Sequence, residues 1–167
     1  MIEWAFFPRT QRITPLGQKV IQVFEAAAVT IDSKGNNHLI GIKYKESASD
    51  VVLSHVRVGL EEIGFSVEGG KKATQKISVP VLFGRGGKTA RSFDADAYHQ
   101  AEGFVLEVEA GRAVTNYQFL KDLFQATVMV DVSYLCIAVR NVYKRNKDFE
   151  TVYSLSLIHI SEPTRPY

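Results

Sequence analysis

The chain has 167 residues, 46% hydrophobic and 23% charged, which suits one globular domain with its own core. A formal net charge of +2 is too small to identify a nucleic-acid partner, so such a partner must be argued from where charges fall. No apolar run approaches the roughly 18 residues of a membrane span, and Met1 to Arg9 lacks the basic leader and cleavage site of a signal peptide. The expectation is a cytoplasmic protein without membrane association.

Thr14-Pro15 signals a helix start, a capping hydroxyl followed by proline in the first turn. Val20, Ile21, Phe24 and Ala28 follow at helical spacing until Lys34-Gly35-Asn36-Asn37 breaks the pattern. A second helix is predicted from Ser49-Asp50, with Val52, Val56, Leu60 and Ile63 on one face and Gly64 placed to end it. Phe65 to Val67 reads as a short strand, and Gly69 to Lys72 as a basic loop.

A run of strands comes next. Ile77 to Phe83 is apolar and β-rich, with Pro80 marking an edge or a bulge, and Gly84 to Lys88 is a turn. Arg91 to Tyr98 and Phe104 to Ala110 read as two strands joined around His99 to Gly103. Residues 114–130 show helical period, with Leu120, Leu123, Phe124 and Val128 as the apolar face. Gln118, Lys121, Asp122 and Gln125 form a polar stripe, read either as a solvent face or as support for a site. Tyr134 to Val139 is continuously apolar, as in a strand covered on both faces, and holds the lone Cys136 as a small buried residue. The pattern predicts an α/β domain with a mixed central β-sheet flanked by helices.

The stretch Phe93 to Glu109 carries the chemistry. Alternation puts Phe104, Leu106 and Val108 on one face and Glu107 and Glu109 on the other; Asp94 and Asp96 likewise oppose Phe93, Ala95 and Ala97. If the two strands pair with apolar faces matched, up to four carboxylates gather on one surface. Like charges so placed repel unless a cation intervenes, and hard ions such as Mg²⁺ take such oxygen ligands. The competing account is an ordinary solvated face. Glu61 and Glu62 are further acidic candidates, for which a plain surface role is favoured, while His55 and His99 lack zinc-ligand spacing.

An aspartate, about eleven residues, then Glu-x-Glu, followed by a helix and an apolar strand, resembles the PD-(D/E)xK nuclease superfamily. Phe93 to His99, Val105 to Arg112, Asn116 to Gln125 and Tyr134 to Asn141 are similar to bacterial type II restriction endonucleases. The resemblance implies a restriction-endonuclease-like core and Mg²⁺-dependent hydrolysis of double-stranded DNA, with a homodimer matched to a palindromic site. It implies Asp96, or Asp94, and Glu107 as Mg²⁺ ligands. Glu109 stands where the general motif has lysine, and is read as a ligand or a water-orienting base. Lys121 is the candidate positive charge near the scissile phosphate.

Basic residues set against DNA phosphates are Lys71, Lys72, Arg85, Lys88, Arg91 and Arg112, then Arg140, Lys144, Arg145 and Lys147; each group is read as DNA contact or as solvated charge. Gly84-Arg-Gly-Gly-Lys-Thr89 is not a P-loop, because Leu82 occupies a required glycine position and a strand follows. Residues 1–154 are expected to form one nuclease domain. The ending Leu155 to Tyr167 resembles a translated sequencing adapter, so 155–167 is set apart as a non-native tail, with the native chain expected to continue past Ser154. Two other functions compete: a repair or mobile-element nuclease of the same fold, and a non-catalytic α/β binding module.

Overall fold

The computed structural model describes residues 2–31, 48–70, 72–111, 113–114, 117–143 and 146–156. Helix α1 (Pro15–Ile31) starts as predicted, with Thr14 Oγ1 accepting the Gly17 N–H at 3.0 Å. Helix α2 (Ala48–Glu62) ends where Gly64 turns at φ +99, which lets the Phe65 N–H reach the Leu60 carbonyl at 3.0 Å. The chain then enters strand β1 (Ser66–Val67).

Strands β2 (Ile77–Phe83) and β3 (Thr89–Ala95) form an antiparallel ribbon whose register slips just beyond Pro80. Pro80 contributes no amide donor, so the irregularity falls where its type predicts. Strands β4 (Ala97–His99) and β5 (Phe104–Glu109) pair antiparallel, and β5 pairs parallel with β6 (Tyr134–Val139). The main sheet has the order β1-β4-β5-β6 and is therefore mixed. Helix α3 (Gln118–Val128) links β5 to β6, and α4 (Asp148–Ser156) follows, where no helix is predicted; it takes in Leu155 and Ser156 of the segment set apart as a tail.

Alternation along β5 divides the interior in two. Phe104, Leu106 and Val108 join Val20, Phe24, Val56 and Leu60 in a core between the sheet and helices α1 and α2. Val105 faces the other way, packing with Val79, Ala95 and Met129 under the ribbon. The domain is thus mixed α/β, a central mixed sheet with helices against it.

Three expectations change. Arg91 to Tyr98 is not one strand: it breaks at Asp96, with β3 in the ribbon and β4 in the main sheet. On α3 the buried residues are Phe119, Asp122 and Ala126, while Phe124 is 63% exposed and Val128 also faces solvent. The polar stripe therefore turns one acid inward. Strand β6 packs on both faces, Tyr134, Cys136 and Ala138 against the helix core and Leu135 against the ribbon core, but it is the outer strand among the described residues and all six of its residues are only half-buried. Among the described residues no helix is long and apolar enough to cross a membrane.

Two left-handed glycines differ in consequence. Gly103 turns β4 into β5 at φ +58, and its carbonyl accepts the Ser133 and Tyr134 N–H groups at 2.8 and 3.1 Å, docking the start of β6. A Cβ there would collide with the Asp131 carbonyl, whereas at Gly86, also left-handed, it would meet nothing. Gly103→Ala is expected to cost at least ~3 kcal/mol and Gly86→Ala about 1 kcal/mol in chemical denaturation, the difference being the collision.

Candidate active site

Asp96 sits where the chain crosses from ribbon to main sheet, and three pairings meet there. In β1–β4, Val67 is opposite Ala97, so the next step sets Glu68 opposite Asp96; the Glu68 N–H donates to the Asp96 carbonyl at 2.8 Å. In β4–β5, Ala97 is opposite Leu106, which sets Asp96 opposite Glu107. In β2–β3, Ile77 is opposite Ala95, which brings Lys76 to Asp96. Directly opposite residues share a face, so Glu68, Asp96 and Glu107 form a row across three strands, spaced roughly 4.8 Å apart. Their neighbours Val67, Ala97 and Leu106 all lie in the opposite core.

Backbone donors fix the centre of the row. The Val108 N–H donates to Asp96 Oδ2 at 2.8 Å, and the Asp96 N–H donates to the Glu107 carboxylate. These reciprocal bonds hold both carboxylates against the strands. Ser49 Oγ accepts the Ala110 N–H at 3.1 Å, fastening the end of β5 to α2.

Helix α3 adds Asp122, only 3% exposed, beside Glu107 and Glu109. Its Oδ1 lies 3.7 Å from Lys121 Nζ, and its buried Oδ2 has no hydrogen-bond partner. On the other flank Lys76 Nζ donates to Glu68 Oε1 at 2.6 Å. Two unit charges about 5 Å apart repel by roughly 3 kcal/mol at an effective dielectric of about 20, more than one ordinary hydrogen bond returns. Protonation is the response. Burial, then the charges of Asp96 and Asp122, push Glu107 up to about 9. Burial is also the main cause that raises Asp96 to about 6, opposed by the Val108 N–H and aided by Glu68 and Asp122. Asp122 is raised by burial, against the pull of Lys121 and Glu109.

The predicted site residues separate into groups. Asp96 and Glu107 come together, and Glu109 lies on the same strand beside Asp122. Asp94 stands exposed on the ribbon opposite Ser78, so the crossing at Asp96 takes it out of the row; its charge acts on Lys76. Lys121 borders the cluster from α3 but is 59% exposed. Glu61 and Glu62 are exposed at the end of α2. Glu68 and Lys76 are the residues that chain patterning misses. Their only local signal is an acid after a β-branched residue and a lysine before an apolar strand.

Among the described residues no three His, Cys, Asp or Glu side chains close around one point as ligands of an ion. A cavity of about 740 Å³ lies elsewhere, lined by apolar groups such as Trp4, Phe24, Phe119 and Tyr134, and none of the clustered carboxylates borders it. Lys72, Arg85, Lys88 and Arg91 are all exposed, the last three on the outer half of the ribbon. Arg140 is half-buried over the Tyr143 ring at 5.5 Å and attracted to buried Asp148, so its charge is engaged within the fold. Lys71, Arg112, Lys144 and Arg145 lie outside the described residues. Comparison with known protein families, curated proteins and solved structures gives no match.

Raised acid values carry a sign for stability. The folded chain keeps protons on Asp96 and Glu107 that the unfolded chain releases near the ordinary values of 3.8 and 4.5. Their contribution is therefore fully present below those values and is lost as pH climbs through about 6 and on to about 9. The melting temperature of the metal-free protein is expected to fall from about pH 5 to about pH 9, and Glu107→Gln to flatten most of that fall above about pH 6; an unchanged slope in the variant would refute the assignment.

Proposed function

We propose that the chain is a divalent-metal-dependent endodeoxyribonuclease with a restriction-endonuclease-like core, acting on double-stranded DNA. The observation that carries this is the Asp96–Glu107 pair, half-buried on adjacent strands and held by reciprocal backbone bonds at a sheet face. The motif resemblance implies Glu107 together with either Asp96 or Asp94.

The donor set fits a hard ion such as Mg²⁺. All the groups are carboxylate oxygens, and a buried Asp122 oxygen stands unpartnered beside them. Asp96 and Glu107 would hold the ion, with Glu109 as a further acidic candidate; Asp94, exposed on the ribbon, stands outside this set. When bound, such an ion supplies Lewis acidity at a scissile phosphate and neutralises the crowded charge.

The chain's own residues do the rest. The Val108 and Asp96 N–H groups orient the two carboxylates, so no side-chain ordering is needed when a ligand arrives. Glu109, next on the same face of β5 with Asp122 beside it, would orient an attacking water. The ribbon springs from the site with Arg85, Lys88 and Arg91 on its exposed half, and a two-stranded ribbon suits a DNA groove. Symmetric cutting of both strands would call for a second copy, giving a homodimer on a palindromic site.

Plasmid cleavage tests the proposal. With Mg²⁺ the chain is expected to cut, with EDTA it is not, and Glu107→Ala is expected to lower the rate at least ~100-fold while melting stays cooperative. Discrete fragments support a sequence-specific restriction enzyme; unspecific degradation supports a repair or defence nuclease. No cleavage together with no Mg²⁺ heat of binding in calorimetry leaves a binding module.

A further inference from the structure

A row of carboxylates facing a polyanion needs a cation between them, and β5 itself brings none, since Glu109 follows Glu107 on that face. Two lysines act on the row. Lys121 reaches Asp122 only at 3.7 Å and is 59% exposed, a loosely held surface charge. Lys76 is different: its Nζ lies 2.6 Å from Glu68 Oε1, its side chain is 29% exposed, and its charge also meets Asp94 and Asp96.

Glu68, which holds it, is itself fixed. It is 9% exposed, its N–H is bonded to the Asp96 carbonyl, and its own carbonyl accepts from the Arg57 guanidinium. The ammonium is therefore placed by the fold at one end of the row. One donor is engaged by Glu68, and an ammonium has three.

Building on the nuclease reading, we infer that Lys76, positioned by Glu68, is the cation that contacts the DNA phosphate undergoing hydrolysis. In that step a water oxygen bonds to phosphorus, and the bond from phosphorus to the 3′ oxygen breaks with its electron pair. One proton passes from the water to the leaving oxygen through solvent, and nothing is oxidised or reduced. Lys76 stays protonated throughout and offsets charge growing on the phosphate oxygens. Its pairing with Glu68 supports that state, since the carboxylate raises the lysine above its ordinary value.

The test compares the whole chain with Lys76→Gln, Lys76→Arg and Lys121→Gln on plasmid DNA with Mg²⁺, and measures DNA affinity by anisotropy with Ca²⁺. At saturating DNA, Lys76→Gln is expected to lose at least ~100-fold in single-turnover rate, with affinity changed less than ~10-fold. Lys76→Arg should recover most of the rate, and Lys121→Gln should lose at least ~10-fold less than Lys76→Gln. If Lys76→Gln does not fold, the Lys76→Gln/Glu68→Gln double variant replaces it, because it leaves no buried charge unpaired. A folded variant lacking Lys76 that cuts at the wild-type rate, or a loss in Lys121→Gln as large, overturns the assignment of Lys76 alone. A wild-type chain that binds no Mg²⁺ and cuts no DNA overturns the nuclease reading and this assignment with it.

Discussion

At Asp96 the backbone leaves one sheet and joins another, and three strand pairings lock onto the same residue. Its carbonyl takes the Glu68 amide, its N–H serves the Glu107 carboxylate, and its own carboxylate takes the Val108 amide. These bonds oblige three acids to lie side by side on half-buried strands. The repulsion is relieved because burial raises Asp96 and Glu107 so that they keep their protons, and because Lys76 pairs with Glu68. The site and the crossing are one feature of the fold.

The two halves of the interior follow from the same point. Before Asp96 the inward residues Phe93 and Ala95 pack under the ribbon; after it Ala97 packs against the helices. The change of sheet swaps which core the alternate residues enter, and so leaves Asp96 facing Glu107 while Asp94 goes out to solvent. It also sets Lys76, at the base of the ribbon, against Glu68 at the end of β1.

Much of this was legible along the chain, because the signals are local. Thr14-Pro15 and Gly64 bound two helices through capping and left-handed geometry, and Phe104, Leu106 and Val108 against Glu107 and Glu109 mark the faces of β5. Period-two alternation depends only on the backbone of one strand. The acids on β5, and the expectation that an aspartate meets them, follow from that pattern.

What one strand's pattern leaves open, only the packing of several strands and helices decided. Asp94 and Asp96 are equivalent by spacing and become inequivalent because the strand changes sheets between them. Phe124 and Val128 look like the buried stripe of α3, yet the helix is rotated so that Phe119, Asp122 and Ala126 face inward. Glu68 and Lys76, eight residues apart across a loop, meet through pairings with β4 and β3 that no local window contains. The sequence alone determined the first two helices, the faces of β5 and the acidic character of the candidate site; the tertiary structure alone decided which acids share a surface and which lysine meets them, because register between strands is a long-range property.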